Sequence, residues 1–286
     1  VAVGLLADRA LGEPALPAGW HPVSLFGRAM RAVESRTYAD VRQNGLVYAG
    51  AGVAVGAGAG LAVRSRAVAT YLAVAGRALG DAASAVGSAL DAGDLDAARS
   101  LLPALVGRDP ADLDEKELAR AAVESVAENT VDAVVAPALW ALSLGAPGAL
   151  GYRAVNTMDA VVGHRSARYQ RYGWAAARLD DAAGWLPARA TALLVAAVRP
   201  RAAKAVWRTV RGDAGAHPSP NSGVAEAAFA AALGLRLGGS NRYGARVEVR
   251  PYLGDGRPPE AADIAAAVRL SRDVTYALAA SVAVLR

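Results

Sequence analysis

The chain has 286 residues, enough for one large domain or two small ones, and combines 54% hydrophobic residues and a mean hydropathy of +0.23 with 20% charged residues. That mixture suits a polytopic membrane protein with aqueous loops, the alternative being a soluble Ala-rich helical enzyme. Absence of Cys excludes disulfides and thiolate metal sites, and three His make a His-rich zinc site a poor fit. The net charge of +5 comes from Arg residues dispersed among acids, without aromatic-interleaved basic patches. It therefore favours phosphorylated small molecules or anionic headgroups over nucleic acid.

Val1 to Ala7 is apolar but lacks a basic flank, so it does not read as a signal peptide; it resembles the end of an apolar segment. Asp8 to Gly27, with Pro14, Pro17 and Pro22, reads as loop. Arg28 to Arg42 is a polar, basic helix candidate. Leu46 to Val63 is an uncharged run of 18 residues between Arg42 and Arg64, the clearest candidate span. Its Gly52, Gly56 and Gly60 recur every fourth position, which lets a second helix approach closely; the competing reading is a flexible Gly/Ala linker.

Arg66 to Val106 has helical spacing with a break at Ala92-Gly93-Asp94, and Val106-Gly-Arg-Asp-Pro110 is a turn. Asp112 or Asp114 is placed to cap the next helix. Ala133 to Gly151 is a second span candidate whose Pro137, Gly145 and Pro147 predict a kinked or broken helix. Tyr152 to Asp181 is polar. Ala182 to Val198 is a third candidate, with Arg189 inside it and Asp180 or Asp181 as its nearest acid. Arg201, Lys204, Arg208 and Arg211 with Val206, Trp207 and Val210 predict an interfacial amphipathic helix. Val224 to Leu237 is another apolar helix candidate. Tyr276 to Leu285 is too short to span unless its helix starts near Val268. No internal repeat or strand-rich region is visible.

The most informative segment is Arg120-Ala-Ala-Val-Glu-Ser-Val-Ala-Glu-Asn-Thr-Val-Asp132. On a helix, Glu124, Glu128 and Asp132 line one face at i, i+4 and i+8, with Asn129 beside them. Three carboxylates on one stripe repel, so they need a cation, an Arg or a proton. A solvated acidic face is the plain alternative. Asn156 and Asp159 share a face at i and i+3 and could join the stripe as oxygen ligands of Mg²⁺. His164, Arg165, Arg168 and Tyr169 add donors suited to phosphate. Helix capping by Asp159 and surface ion pairs of the Arg residues are the simpler readings.

In His217-Pro-Ser-Pro-Asn-Ser-Gly223 two prolines flank Ser219, and Asn221, Ser222 and Gly223 precede a helix. Hydroxyls, an amide and free N–H groups there would bind an anion, or Ser222 or Gly223 would act as an N-cap. Glu226, one turn on, could hold a metal or orient His217. There is no Walker P-loop, no dinucleotide-binding Gly motif, no GxSxG and no HExxH.

Several of these segments together resemble the CobD/CbiB family of cobalamin biosynthesis, the adenosylcobinamide-phosphate synthases. They are Val123-Glu-Ser-Val-Ala-Glu-Asn-Thr-Val-Asp132, Tyr152-Arg-Ala-Val-Asn-Thr-Met-Asp159, Gly163-His-Arg-Ser-Ala-Arg-Tyr169, Arg178-Leu-Asp-Asp181, Pro187-Ala-Arg189 and His217 to Gly223. Asp8-Arg-Ala-Leu-Gly-Glu-Pro14, His21-Pro22, Gly27-Arg28 and Val106 to Pro110 also resemble it, in the same order along the chain. Val131-Asp132-Ala133, Asp159-Ala160 and Val224-Ala225 depart from the expected Ser-Asp-Gly, Asp-Ser and Trp-Pro, sparing every acid.

The resemblance implies an all-α polytopic membrane enzyme with broken transmembrane helices, one membrane-embedded domain over 1–286. Polar loops are expected at about 8–42, 80–132, 152–181, 199–223 and 238–262. It would be an acid–amine ligase, using ATP and Mg²⁺ to join adenosylcobyric acid, an adenosylated corrinoid, to (R)-1-amino-2-propanol or its O-phosphate. On that basis Glu124, Glu128, Asp132 and His217 are expected as catalytic groups, and Glu124, Glu128, Asp132 and Asp159 as Mg²⁺ ligands. Asn129, Asn156, Arg165, Arg168, Arg189, Ser219, Asn221 and Ser222 are expected to hold substrate or phosphate, and Trp140, Trp174 and Trp185 to pack on the corrin ring. The expected setting is the inner or plasma membrane with the site facing the cytoplasm, among lipids, as a homo-oligomer or with other late cobalamin-assembly enzymes. A corrinoid or solute transporter and a non-enzymatic assembly scaffold are the rival classes; the lack of repeated halves argues against the first.

Overall fold

A computed structural model describes the chain except residues 15, 17, 18, 164, 165, 167, 244, 245, 285 and 286; the side chains of 242, 243, 246 and 247 are also left aside. The described residues are mostly helical. In chain order the helices are α1 (Ala2–Leu11), α2 (Pro22–Thr37), α3 (Arg42–Val63), α4 (Arg66–Ala73), α5 (Gly76–Asp91), α6 (Leu95–Leu101), α7 (Glu115–Thr130), α8 (Ala136–Met158), α9 (Trp174–Val198), α10 (Ala203–Asp213) and α11 (Ser222–Leu233). Strands β1 (Leu237–Tyr243) and β2 (Arg246–Leu253) follow, then α12 (Ala261–Val284). The helices agree with the all-α expectation; the antiparallel hairpin does not, and it lies where a polar loop was expected. Contacts divide the chain into two compact units, residues 1–75 with 136–185, and residues 76–135 with 186–286.

Several boundaries follow from local chemistry. Asp8 to Gly27 is not all loop: α1 continues to Leu11, and Pro22 opens α2, where its fixed φ and missing N–H are tolerated. Gly93, at φ +72°, ends α5, and Asp94 caps α6 by accepting the Ala97 N–H at 2.8 Å. Asp114, rather than Asp112, starts α7 with a capping box. Its Oδ1 accepts the Glu117 N–H at 2.8 Å, and the Glu117 carboxylate accepts the Asp114 N–H at 3.0 Å. The expected break within Ala133–Gly151 is present at Gly145, which departs from helical geometry at φ 69°, ψ −150°, while a π turn over Val131–Val135 precedes it without a signal in the residue pattern.

In the first unit α3 and α4 pack along α8. Gly52, Gly56 and Gly60 face α8, so the small-residue stripe is a packing seam and not a linker. A Cβ on Gly60 would overlap Pro147 Cα and the Ala146 carbonyl, backbone atoms that cannot swing away. Gly60→Ala is therefore expected to destabilise by about 1–3 kcal/mol, the usual range for overpacking. Gly58→Ala, with nothing within 4 Å of its Cβ, should gain up to about 1 kcal/mol of helix propensity. Thermal melting of the two variants in one detergent checks the contrast. A core of Met30, Tyr48, Val155, Met158, Val162, Tyr172 and Ala176 closes the unit.

In the second unit α5, α7 and α12 pack together, and α11 lies against α7 and α10. The Thr130 hydroxyl donates to Ser271 Oγ at 2.8 Å, joining α7 to α12. The last helix begins at Ala261, well before the apolar stretch that opens at Tyr276.

Among the described residues two helices are long and apolar enough to cross a membrane, Arg42–Val63 and a stretch within Glu115–Gly163. The expected third, Ala182–Val198, does not meet that standard. It lies in α9, where Arg178, Asp180, Asp181, Pro187 and Arg189 dilute the apolar run.

Candidate functional site

The second unit holds a polar cavity of about 130 Å³ lined by Leu105, Val106, Gly107, Arg108, Glu124, Ser125, Glu128, Glu226, Asn241 and Arg250. Two helical faces build it. On α7, Glu124 and Glu128 stand one turn apart; on α11, Ser222 and Glu226 do the same. The Ser222 hydroxyl donates to Glu128 Oε1 at 2.7 Å, which joins the two faces.

Glu124, 5% exposed, is a fully engaged carboxylate. Arg108 Nη2 donates to Oε2 at 2.9 Å, while Arg120 Nη1 at 3.3 Å and the Gly238 N–H at 2.9 Å reach Oε1. Arg108 also donates to Asn241 Oδ1, and Arg120 reaches the Gly238 carbonyl at 2.6 Å and the Ser240 carbonyl at 2.7 Å. The hairpin is thus tied to α7 through its Gly238–Asn241 edge. Gly238 sits at φ +89° beside the register shift in β1, a conformation that favours glycine and aims its N–H at Glu124.

Glu226 is the opposite case. It is 1% exposed, and neither carboxylate oxygen has a hydrogen-bond partner among the described residues. His217 Nε2 stands 3.6 Å and Arg250 Nη1 3.9 Å from Oε1, both beyond hydrogen-bond reach. Burial, then the charges of Glu124 and Glu128, push its carboxyl well above the ordinary range, against the pull of Arg250 and Arg108. His217 is also buried, and burial moves its imidazole down, favouring the neutral ring. Its Nδ1 lies 3.1 Å from both the Ser219 N–H and the Ser219 carbonyl.

The other expected residues take varied places. Asn129 turns back on its own helix, donating to the Ser125 carbonyl at 3.0 Å. Asp132 stands on the π turn, half-buried, and does not line the cavity, because the α-helical stripe ends at Thr130. Ser219 Oγ accepts the N–H groups of Asn221 at 3.3 Å and Ser222 at 3.2 Å, so donors that an anion would use are bonded within the loop. Arg189 donates to the Pro220 carbonyl at 3.2 Å and Asn221 Oδ1 at 3.4 Å, holding that loop.

In the first unit Asn156 donates to Asp180 Oδ1 at 3.4 Å, and Asp159 opens a π turn with its carboxylate against Gly163. Arg168 pairs with Glu34 at 2.7 Å and lies 4.2 Å over the Tyr38 ring. His164 and Arg165 lie outside the described residues. Among the described residues no three His, Asp or Glu side chains are grouped to hold a metal ion.

Arg108, Arg120, Asn241 and Arg250 were not singled out as site residues by sequence reasoning. Arg108 carried a signal, lying in the Val106–Pro110 turn, and Arg120 precedes Glu124 by one turn. Asn241 and Arg250 carried none, since they belong to a hairpin whose Gly-rich first strand shows no alternation.

A family model described as CobD/Cbib protein matches residues 1–271. The chain belongs to the CobD/CbiB family. Its family role is in cobalamin biosynthesis. It is 50% identical to the cobalamin biosynthesis protein CobD of Mycobacterium tuberculosis, over 100% of this chain and 94% of that one. It is 44% identical to the CobD of Chromobacterium violaceum, covering 94% and 90%, and 40% identical to that of Geobacter metallireducens, covering 91% and 87%. No solved structure matches the chain. Within this CobD/CbiB member, the acids of the Val123–Asp132 motif divide into an Arg-neutralised Glu124, a cavity-facing Glu128 and an Asp132 outside the cavity.

Proposed function

We propose that this CobD/CbiB protein is an ATP- and Mg²⁺-dependent ligase that joins adenosylcobyric acid to 1-amino-2-propanol or its O-phosphate, with the cavity of the second unit as its polar centre. The observation that carries the reading is the combination in that cavity of acids with open oxygens and two guanidinium groups, Arg108 buried and Arg250 half-buried. A carboxylate is a poor acyl donor. Phosphorylation by ATP makes it an acyl phosphate, the amine forms the C–N bond, and the C–O bond to phosphate breaks. Charge that builds on transferring phosphoryl oxygens is stabilised by fixed cations, the role assigned to Arg108 and Arg250.

The donor set suits Mg²⁺ only in company with phosphates, since that ion is held by one or two carboxylates plus substrate oxygens and water. Glu128 fits. It is half-buried, its Oε1 is held by Ser222, and its Oε2 has no protein hydrogen bond among the described residues. When bound, Mg²⁺ supplies charge neutralisation on the nucleotide phosphates. Ser222 orients the Glu128 carboxylate, and neutral His217 is placed to accept a proton. The two apolar helices support a membrane setting, and the need for ATP supports a cytoplasm-facing site.

The test is a product assay on detergent-purified protein with adenosylcobyric acid, each amino alcohol and Mg²⁺-ATP, following the corrinoid by mass. The expected product is heavier by the amine less one water, and appears only with ATP. Corrinoid binding without product from either amine would overturn the ligase and favour a transporter or scaffold.

A further inference from the structure

Resting on the ligase reading, we infer that the buried carboxylate of Glu226 binds the primary ammonium group of the amine substrate. Buried polar groups normally have partners, and the exceptions call for a reason. This cavity collects four such atoms in three residues: both Glu226 carboxylate oxygens, Arg108 Nε and Asn241 Nδ2. The first two are acceptors once the carboxyl gives up its proton, the form a bound ammonium group favours, and the last two are donors. A ligand completing all of them carries a small cationic donor at one end and an oxygen acceptor at the other, which describes an amino alcohol or its phosphate.

Size points the same way. A cavity of about 130 Å³ has room for roughly four waters at ~30 Å³ each. A short aliphatic amine fits that space, and a corrin ring or nucleoside does not. His217 and Arg250 flank Glu226 at 3.6 and 3.9 Å, beyond hydrogen-bond reach, and Glu226 lines the cavity. An ammonium group has three donors, enough to satisfy both Glu226 oxygens.

A divalent metal matches Glu226 less well. Arg108 and Arg250 line the same cavity and repel a dication twice as strongly as an ammonium ion. Glu124, the third acid of the lining, is already neutralised by Arg108 and Arg120, and among the described residues no three His, Asp or Glu side chains are grouped to hold a metal ion. Glu226 thereby becomes the specificity-determining contact for a primary amine, and Glu128 stays with the phosphates.

The test is calorimetric titration of the full-length protein in detergent, without ATP or corrinoid, using 1-amino-2-propanol, its O-phosphate and 1,2-propanediol, in wild type and Glu226→Gln. The KM for amine and for ATP is measured alongside in the product assay. The amines should bind wild type and the diol should not. Glu226→Gln should weaken amine binding and raise amine KM at least about ten-fold, the loss of a charge-assisted contact, with ATP KM unchanged. Glu226→Asp keeps the charge and should retain part of the affinity, which separates charge from folding. Amine affinity and KM within about three-fold of wild type would overturn the assignment. So would saturable binding of Mg²⁺ alone that Glu226→Gln abolishes. Turnover with unchanged amine KM in Glu226→Gln sinks only the role of Glu226; amine binding lost in that variant, with no turnover by wild type, sinks only the ligase.

Discussion

Glu124→Ala is expected to destabilise the second unit by about 3–5 kcal/mol, the cost of removing one partner from a buried ion pair. Arg108 is 5% exposed, and in this variant its guanidinium would keep, among the described residues, only Asn241 as a hydrogen-bond partner. The Gly238 N–H would lose its acceptor in the same step, and Arg120 would keep only its hairpin contacts. Losing that much from a marginally stable fold should lower the melting temperature by many degrees and free the hairpin for proteolysis. The double variant Arg108→Met/Glu124→Leu should be milder than the single one. Apolar replacement of both partners strands neither charge of that pair, and such swaps are often neutral. Melting curves of the two variants in the same detergent decide this. A double variant as unstable as Glu124→Ala would mean that the cost lies in the shape of the site and not in an uncompensated charge.

Glu128→Gln is expected to do the reverse, sparing the fold and removing activity. The side-chain oxygen of Gln still accepts the Ser222 hydroxyl, so the link between α7 and α11 survives. Glu128 is only half-buried, and its loss strands no buried cation of its own. A surface-like change of this kind moves stability by about 0.5 kcal/mol or less. Glu128 would act by holding the Mg²⁺ that neutralises the phosphates, and losing one such transition-state contact typically lowers kcat about 100- to 1,000-fold. The measurement is turnover at saturating Mg²⁺-ATP beside a melting curve. Turnover within a few-fold of wild type, at unchanged stability, would remove Glu128 from the chemistry.

The contrast between these neighbouring acids shows where sequence reasoning reached and where it stopped. Helical period alone placed Glu124 and Glu128 on one face, and the need of such a stripe for countercharge was legible before any fold was known. Which acid received which countercharge was not. Arg108 arrives from a turn 16 residues upstream, and Asn241 from a hairpin whose glycines carry no periodic signal. Asp132 left the stripe because a π turn interrupts the α-helical repeat, and no residue pattern announced that turn.

The sequence by itself determined the local elements. Apolar runs, capping residues and glycine or proline breaks act within a few residues, so α3, the capped start of α7 and the break at Gly145 were readable. The glycine seam was legible as a close-packing face, though its partner α8 was not. Tertiary structure alone decided that Glu226 would be buried without a bonded partner while Glu124, also buried, would be bonded on every side. The physical reason is that a carboxylate's role depends on which donors packing brings within about 3 Å, and those donors lie on elements far apart in the chain.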